Sequence, residues 1–475
     1  MAPSIFWFRR DLRLSDHPAL LEAVRLGGAD GVLPLFVVDD EFLAPSGPTR
    51  ARFLAGCLEA LEDSMGAPLV MRHGDPAKVV TDLVREVGAS DVVVTGDYGP
   101  VGQRRDGAVA TALEAQGVRF HQVSSPYAVE PGTVSGDKGQ PLKVFSAFRR
   151  RWEVLGPHVV SPAPDVRWIS ASSDITASQI EARSGKRRPA LFGDLPDGPP
   201  VNLPVPGEGA AHQLLEDFMG GPADGYKVRR DFLAENATSG LSPYLRFGCI
   251  HPRTILHVAS GPGKDLEHFR SEVCWREFYA DVLFHNPQSV TEPLQAQMSE
   301  LVWDKGPEAE ERFRRWARGE TGIPLVDASM RQLLAEGLMH NRARMIAASF
   351  LVKHLHLDWR WGARWFMWRL VDGDLASNVH GWQWTAGTGT DAAPFYRIFS
   401  PLAQAERFDP DAAFIHRYVP ELAGIPAPKV FEPGGGVSLL DQADYPEAMI
   451  DLKAEREEAL RRLDEAKQRY GATTQ

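Results

Sequence analysis

Short apolar runs alternate with amphipathic segments over residues 1–130 of the chain. The runs have the length of strands and occupy residues 4–8, 31–38, 68–72, 91–95 and 118–123, and the first of them, SIFWF, is predicted to be buried. The segments between them repeat apolar side chains every three or four residues, which is the period of a helix that packs one face. Strands alternating with helices predict a Rossmann-like α/β domain with a parallel five-stranded sheet over residues 1–130.

The hydrophobic pattern changes after this domain. Residues 131–210 hold eleven prolines and many glycines and serines, which indicates a connector over residues 131–208. Helical patterns then cover residues 209–218, 227–236, 251–259, 264–284, 307–318, 324–336, 340–356 and 360–371. We therefore expect a large all-α domain over residues 209–475, which ends in a charged, solvated helix at residues 445–470.

Tryptophan, carboxylate and arginine side chains concentrate late in the helical region. Residues 359–384 contain six of the twelve tryptophans, and residues 342–369 carry six basic side chains and one acidic side chain. The segment 372–384 reads DGDLASNVHGWQW. A tryptophan-rich core helix is the alternative interpretation of this segment. The combination suits a flat aromatic cofactor with a polyanion nearby.

Charge and cysteine usage narrow the class of protein. The net charge of −11 argues against a protein that coats nucleic acid, although it permits a local basic face. The three cysteines form no CxxC pair, which indicates a reducing compartment and no zinc site. Without a membrane-length apolar run or a secretory leader, we expect a cytoplasmic protein. We interpret His354 and His356 as part of a solvated helix face, because no third metal ligand is in reach.

The first strand is not followed by the GxGxxG loop of an ordinary dinucleotide fold, since Arg9-Arg10-Asp11 stands there. Ligands of open parallel sheets bind at the carboxyl ends of the strands. The candidates at these ends are Arg9, Arg10, Asp11, Asp39 and the loop 97–106. For the arginines, a solvated or salt-bridged role has about the same weight as ligand binding.

Three further segments combine polar and aromatic side chains. The loop 238–242 suits an anion, although a plain helix cap is the favoured explanation for this segment alone. Helical spacing places Glu272, Trp275, Arg276 and Tyr279 on one face. This face suits an aromatic substrate. An amphipathic helix with an internal ion pair is an equally good explanation. In residues 339–345, MHNRARM, Asn341 or His340 shares a face with Arg344, and an exposed basic helix is the alternative.

Together these segments resemble the photolyase/cryptochrome family, and specifically its class I cyclobutane-pyrimidine-dimer DNA photolyases. The motifs that carry the resemblance are FWFRRDLRLSDHPAL, TSGLSPYLRFG, CWREFY, GIPLVDASMRQL, MHNRARM, and DGDLASNVHGWQW with the following TDAAPFYRIFSP. They are long, specific and spread over essentially the whole chain. The resemblance implies an α/β antenna domain at residues 1–130, the connector, and a helical FAD-binding domain at residues 209–475.

The resemblance implies FAD as the cofactor, active as FADH⁻. Arg344 and Asp372 would pair beside the flavin ring. Asn378 would face flavin N5, where a neutral amide can accept a hydrogen bond without adding a charge. The implied cofactor-binding residues are Tyr226, Thr238, Ser239, Gly240, Leu241, Ser242, Arg276, Arg344, Asp372, Gly373, Asp374 and Asn378.

The implied reaction is light-dependent repair of cyclobutane pyrimidine dimers, by electron transfer from excited FADH⁻ to a dimer flipped out of duplex DNA. Glu272 would hydrogen-bond the dimer, and Trp275 and Trp384 would pack against its pyrimidines. The implied DNA-binding residues are Arg230, Glu272, Trp275, Asn341, Arg342, Met345, Trp384, Arg397 and Gln404. The implied chain that restores FADH⁻ is Trp382, Trp359 and Trp303, with Trp316 as the alternative outer member. No metal is implied, and we expect a monomer.

Several positions depart from the family pattern. Leu338 and Phe269 stand where many relatives have tryptophan. We therefore expect one aromatic wall of the cofactor or substrate pocket to be missing. The additional Trp361, Trp365 and Trp368 are expected in the core or an interface, with an alternative electron branch as the other interpretation. Gly102-Gln103 replaces the Asn-Glu of folate-binding relatives. We therefore expect 8-hydroxy-5-deazaflavin as the antenna, with methenyltetrahydrofolate or no antenna as alternatives.

Three other functions compete with dimer repair. A cryptochrome-like photoreceptor usually carries a long C-terminal extension, where this chain has one charged helix. A 6-4 photoproduct photolyase typically places paired histidines in its pocket, where His340 here stands beside Asn341 and Met345 takes the dimer-enzyme position. A dark flavin oxidoreductase is the weakest alternative.

Overall fold

A parallel sheet lies at the centre of the N-terminal part of the chain. Its strands are β1 Ser4–Phe8, β2 Val32–Val38, β3 Val70–His73, β4 Asp91–Val94 and β5 Arg119–Gln122. They are arranged in the order β3-β2-β1-β4-β5, with Ser4 opposite both Val32 and Asp91. Every residue of β1 and β2 is buried, as expected for central strands covered on both faces by helices. The predicted five-stranded sheet is confirmed.

The computed structural model describes residues 2–155, 159–198, 200, 202–390, 396–437 and 444–473. The chain divides into two compact units. The first consists of Met1–Arg188, Pro204–Lys227 and Thr238–Pro287, and the second of Pro189–Leu203, Val228–Ala237 and Gln288–Gln475. The functional division at residues 1–130, 131–208 and 209–475 is a different partition, and it stays a prediction.

The first unit surrounds the sheet with helices. Those wholly or partly in this unit are α1 Pro18–Gly27, α2 Asp40–Leu43, α3 Pro48–Met65, α4 Pro76–Val87, α5 Pro100–Glu114, α6 Phe145–Leu155, α7 Glu208–Met219, α8 Tyr226–Arg229, α9 Ser242–Phe247, α10 Pro252–Val258 and α11 Lys264–His285. Proline opens α1, α3, α4 and α5, where its missing N–H costs no helical hydrogen bond.

The second unit is helical and has a tryptophan-rich core. Its helices are α12 Pro307–Arg318, α13 Pro324–Glu336, α14 Asn341–Lys353, α15 Trp359–Arg369, α16 Leu375–Ala386, α17 Pro401–Phe408, α18 Ala413–Tyr418 and α19 Leu452–Thr473. Trp365 and Trp368 are buried in this core, as expected, and Trp361 is half-buried against it. Among the described residues, no helix is both long and apolar enough to cross a membrane.

Two predicted helices end earlier than the sequence pattern indicated. The segment 227–236 is helical only to Arg229. The N–H of Leu233 donates to the carbonyl of Phe408 at 2.9 Å and not to the carbonyl of Arg229, as it would in a helix. Helix α14 ends at Lys353, so His354 and His356 lie beyond it. Both histidines are buried, which corrects the predicted solvated face. The described residues contain no group of three or more side chains placed to hold a metal.

Helix α16 begins at Leu375 and includes both Trp382 and Trp384. One expectation about the C-terminal region is wrong, because the terminal helix α19 is not simply solvated. It buries Ala459, Leu463 and Ala466, two of which pack against Met298 and Leu301.

Candidate functional site

An ion pair between a half-buried arginine and a buried carboxylate joins α14 to the loop before α16. The Nη2 atom of Arg344 lies 2.8 Å from Oδ2 of Asp372, whose side chain is 3% exposed. The Nε of Arg344 also donates to the carbonyl of Met339 at 2.8 Å, which fixes the guanidinium plane. The other oxygen, Asp372 Oδ1, is buried without a hydrogen-bond partner among the described residues. Because such an atom costs free energy unless it is paired, it is an acceptor suited to a bound ligand.

The first two turns of α16 orient two more predicted residues. Asp374 caps the helix, and its Oδ1 accepts the N–H of Ser377 at 3.1 Å. One turn later, Nδ2 of Asn378 donates to the carbonyl of Ala363 at 3.0 Å. This bond identifies the amide nitrogen, so Oδ1 of Asn378 remains as the acceptor on a half-buried side chain. Asn378 is therefore a neutral acceptor with a fixed orientation.

Trp382 is held in the same unit by a glycine and two aromatic rings. It is 2% exposed, and its ring centroid lies 4.9 Å from that of Phe366 and 6.2 Å from that of Trp316. A Cβ atom added at Gly362 would lie 2.0 Å from Cη2 of Trp382. Only glycine at this position therefore leaves room for the ring. The indole Nε1 of Trp382 is buried and has no partner among the described residues.

The other candidate tryptophans of the electron chain differ in their exposure. Trp359, the first residue of α15, is 1% exposed. Trp316 is 0% exposed, and its Nε1 donates to the carbonyl of Ala347 at 3.0 Å. Trp303 is half-buried at the edge of the same core. Trp316 is thus in contact with Trp382 but shielded from solvent, whereas Trp303 reaches the surface.

The predicted DNA-binding residues of α14 and α16 lie at the surface of the second unit. Trp384 is half-buried. Asn341 is exposed, with its Nδ2 lying 3.9 Å from Sδ of Met345. Arg342 forms an ion pair of 2.7 Å with Asp231, and its guanidinium lies 4.2 Å from the ring centroid of Phe408. Protein contacts therefore fix the orientation of Arg342.

The predicted rim residues differ in their exposure. Arg230 is half-buried and Arg397 is exposed. The carbonyl of Arg397 accepts a hydrogen bond from Lys353, whose pKa burial lowers to about 7. Gln404 is half-buried, and its Oε1 lacks a partner among the described residues.

His340 has a structural role at the start of α14. Its Nδ1 accepts the N–H of Arg342 at 3.1 Å, which caps the helix. Burial lowers the pKa of His340 to about 4, so the ring is neutral at pH 7. His340 is therefore a neutral helix cap at pH 7.

In the first unit, one face of α11 carries the second group of predicted residues. Glu272, Trp275, Arg276 and Tyr279 are all half-buried, whereas Val273, Cys274, Glu277 and Phe278 between them are buried. The shared face inferred from helical spacing is confirmed. Phe269 is 4% exposed and packs at 4.7 Å from Phe218, so this departure from the family pattern lies in the core.

Two aromatic residues from earlier in the chain support this face. The ring of Trp275 stacks on Phe145 at 3.6 Å and 7°. Arg276 donates to the carbonyls of Pro126 and Leu245 at 3.1 and 3.2 Å, and its guanidinium lies 4.5 Å from the ring centroid of Tyr127. Trp275 and Arg276 are therefore held in place before any ligand binds.

The remaining cofactor candidates of the first unit are Tyr226 and the loop 238–242. Tyr226 is 5% exposed and packs against Phe218 and Phe269. In the loop, Thr238, Gly240 and Ser242 are exposed, and Gly240 has a φ of 63°. Leu241 is buried, so it anchors the loop. The helix that follows, α9, has six residues.

The arginines at the carboxyl edge of the sheet are salt-bridged. Arg9 pairs with Asp106 and donates to the carbonyl of Thr95, while Arg105 lies 3.2 Å from Asp97 and 2.8 Å from Asp106. Asp11 accepts the Thr95 hydroxyl at 2.6 Å. Of the two interpretations left open for Arg9, the structure favours the salt-bridged one.

A cavity of about 590 Å³ lies beside β4, β5 and α5, in the first unit. It is lined by Asp97, Tyr98, Gln103, Asp106, Phe120 and Glu130, among others. Four of these belong to the loop and helix start predicted as a ligand site, residues 97–106. The aromatic rings and polar side chains suit a flat heterocyclic ligand.

Two family models match the sequence. The model described as DNA photolyase matches residues 4–165, and the FAD binding domain of DNA photolyase matches residues 269–465. A deoxyribodipyrimidine photo-lyase from Halobacterium salinarum is 37% identical, over 98% of this chain and 99% of the relative. The chain belongs to the DNA photolyase family.

Solved photolyase structures share the fold over the whole chain. A bacterial class III photolyase from Agrobacterium tumefaciens has a TM-score of 0.87 and 37% identity, with 98% of both chains covered. An archaeal photolyase from Sulfolobus tokodaii with two FAD molecules has a TM-score of 0.80 and 28% identity, and the match covers 98% of this chain and 100% of the other. The predicted photolyase/cryptochrome family is confirmed, and these comparisons do not establish class I.

Several residues that support the candidate site were not identified from the sequence. Phe145 supports Trp275, Tyr127 supports Arg276, and Gly362 makes room for Trp382. The first two lie more than a hundred positions from their partners, so no local pattern relates them. Gly362 did leave a signal, because an isolated glycine within a predicted helix has a packing reason in many proteins.

Gly362 allows the packing of Trp382 to be tested with a matched control. Gly362→Ala should displace the ring and cost about 1–3 kcal/mol of unfolding free energy. Gly381→Ala lies on the same helix as Trp382 and meets nothing within 4 Å, so it should leave stability unchanged or raise it by up to about 1 kcal/mol. Denaturant unfolding and near-UV circular dichroism measure both effects. Equal behaviour of the two variants would contradict the packing described.

Proposed function

We propose that this photolyase catalyses light-dependent repair of cyclobutane pyrimidine dimers in DNA, with the residues described above. The observation that carries the proposal is the Asp372 carboxylate, which pairs with Arg344 through one oxygen and keeps a buried, unpartnered acceptor on the other. The substrate class follows from the relatives, which are deoxyribodipyrimidine photo-lyases.

The available polar groups fit FAD. Two buried atoms, Asp372 Oδ1 and Trp382 Nε1, lack partners among the described residues, and the exposed loop 238–242 presents hydroxyls. When bound, reduced and excited by light, FAD supplies the electron that opens the cyclobutane ring. The residues proposed to hold it are Tyr226, Thr238, Ser239, Gly240, Leu241, Ser242, Arg276, Arg344, Asp372, Gly373, Asp374 and Asn378.

The chain would control charge beside the cofactor through three side chains. Arg344 brings a fixed positive charge, and Asp372 offers its second oxygen to a ring N–H. Asn378 offers a neutral Oδ1, oriented by the bond from its Nδ2 to Ala363. A carboxylate at Asn378 would add a negative charge at low dielectric, which would disfavour an anionic, reduced ring.

The damaged bases are assigned to two tryptophans. Trp275 has one face against Phe145, so its ring is already oriented for stacking on a base. Trp384 is the half-buried tryptophan of α16. Glu272 is proposed to hydrogen-bond the dimer, with Asn341, Arg342 and Met345 as further pocket residues and Arg230, Arg397 and Gln404 as rim contacts. Flipping the dimer out of the duplex costs a few kcal/mol, roughly, and least where stacking is already weakened.

Trp382, Trp359 and Trp303 are proposed as the path that restores the reduced cofactor. The outer member must exchange an electron with a reductant in solution. Trp303 is half-buried at the core edge, whereas Trp316 is 0% exposed. Exposure therefore supports Trp303 as the outer member. Trp316 is the tryptophan that contacts the Trp382 ring among the described residues, with 6.2 Å between the ring centroids.

The antenna proposal is 8-hydroxy-5-deazaflavin, with methenyltetrahydrofolate or no antenna as alternatives. The cavity beside α5 supports an aromatic ligand in the first unit. The Sulfolobus tokodaii structure contains two FAD molecules, so a second FAD is a further candidate for this chain. Mass spectrometry of the chromophores released from purified protein distinguishes these four possibilities.

Finer features of the proposal rest on the resemblance. We propose class I, although the class III structure from Agrobacterium tumefaciens makes class III the competing assignment. A phylogenetic tree of both classes tests this. We also propose a monomer that is cytoplasmic and associated with the nucleoid when bound to DNA. The functional domains are proposed at residues 1–130, 131–208 and 209–475.

Repair itself is tested with purified, reduced protein and DNA that contains pyrimidine dimers. Absorbance of intact thymine should return under near-UV or blue light and not in darkness, because the electron comes from an excited cofactor. An identical sample whose cofactor has been removed is the control. No recovery with confirmed reduced FAD would refute dimer repair.

Trp382 and Trp384 should show separate defects. Trp382→Phe should slow light-driven reduction of the oxidised cofactor, while repair by chemically reduced enzyme survives. Trp384→Ala should weaken binding of damaged DNA by about 1–3 kcal/mol, because a stacking ring is lost, and leave cofactor reduction intact. Absorption kinetics and a DNA-binding titration measure the two effects. If both variants show the same defect, the proposed division of roles is wrong.

The outer member of the tryptophan path is tested by a second pair. Light-driven reduction of the oxidised cofactor, with a thiol as the electron donor, should be slowed by Trp303→Phe at least as strongly as by Trp359→Phe. Trp316→Phe should retain it, since Trp316 is shielded from solvent. Repair by chemically reduced enzyme serves as the folding control. The opposite ranking of Trp303→Phe and Trp316→Phe would assign the outer position to Trp316.

A further inference from the structure

Two cysteine thiols touch in the core of the first unit. The Sγ atoms of Cys57 in α3 and Cys249, between α9 and α10, lie 3.6 Å apart, and both residues are 0% exposed. They are 192 positions apart in the sequence, so only the fold brings them together. The third cysteine, Cys274, is also buried, and it has no such sulfur neighbour among the described residues.

The backbone on both sides of this contact has little freedom to move apart. The N–H of Cys249 donates to Tyr244 at 2.9 Å. A Cβ atom at the preceding Gly248 would lie 2.0 Å from the carbonyl oxygen of Arg10, so the two segments touch backbone to backbone. In α3, a Cβ atom at Gly56 would lie 2.6 Å from the ring of Pro206. The two thiols are therefore held in contact by tight packing of their own segments.

We propose that Cys57 and Cys249 are a site of reversible oxidation, at which a hydroperoxide converts the two thiols into an intramolecular disulfide. An S–S bond is about 2.0 Å long, so the two sulfur atoms must approach by about 1.6 Å from the 3.6 Å that separates them. Because both backbone segments are tightly packed, rotation of the two side chains about Cα–Cβ is the movement required. The inference is independent of the proposed repair reaction, in which neither cysteine takes part.

The chemistry balances with hydrogen peroxide as the oxidant. One thiolate attacks the peroxide, an O–O bond breaks, and a sulfenic acid forms while hydroxide takes up the thiol proton as water. The second thiol then attacks the sulfenic sulfur, the S–S bond forms, and water leaves. In total, two thiols lose two electrons and two protons, and one peroxide becomes two waters.

Burial shapes the outcome of this oxidation. Burial raises the pKa of the Cys57 thiol, so the first step is slow and depends on transient opening of the core. When the core closes again, the second sulfur returns to contact with the oxidised one and reacts with it before a second peroxide arrives. The pair should therefore stop at the disulfide, whereas Cys274 should remain a thiol.

The experiment uses full-length protein, treated with hydrogen peroxide in the dark, then denatured, alkylated and mapped by mass spectrometry. Of the three thiols in the chain, one should remain, and dithiothreitol should restore all three. The expected cross-linked peptide contains Cys57 and Cys249. In Cys274→Ser, two thiols should fall to none, and in Cys57→Ser no intramolecular cross-link should form.

A thermal measurement adds a second readout. The cross-link restricts the unfolded chain, so oxidised protein should melt about 5 °C above the reduced form, and Cys249→Ser should lose this difference. Three free thiols after oxidation would overturn the proposal, as would a cross-link through Cys274 or disulfides only between chains. Because the peptide map is made on the unmutated protein, it decides the question even if a cysteine variant does not fold.

Discussion

The Arg344–Asp372 ion pair is the constraint on which the helical core depends. The Asp372 carboxylate is withdrawn from water, whereas Arg344 keeps 28% of its side chain exposed. Loss of Arg344 would therefore leave a buried, uncompensated carboxylate, a change that costs several kcal/mol, roughly 3–5 for buried pairs in other proteins. The pair joins α14 to the residues that open α16. It therefore holds the residues that lead into α16, and Asp374 then caps the first turn of that helix.

The spacing along α16 then separates two chemical roles. Asp374, Asn378 and Trp382 follow one another at intervals of four residues, so they form one stripe that begins at the capped end of the helix. Trp384 is two residues beyond Trp382, or about 200° around the axis, and lies on a different side. A single helix can thus orient groups proposed for the cofactor on one side and a ring proposed for the lesion on another. In an extended segment, Trp382 and Trp384 would lie on the same face.

Local patterns predicted whatever depends on neighbouring residues. The strand runs, the face of α11 and the helical character of the second unit follow from periods of two and of three to four residues. The patterns failed where a residue distant in the sequence determines where a helix ends or which face it buries. Leu233 leaves a helix because its N–H meets Phe408, and α19 buries one face because Met298 and Leu301 lie against it. Contacts such as Phe145 with Trp275 depend on packing that no period encodes.

The aromatic core shows why distance alone does not assign an electron path. Trp316 lies against Trp382 and is sealed from water, and its indole N–H is already bonded to Ala347. Trp303 lies at the core edge, where part of its ring is accessible. A path that takes electrons from solution must end at an accessible ring, so burial counts against Trp316 in the outer position even though it is the closer neighbour. Exposure, which only the folded structure provides, is the property that separates the two tryptophans.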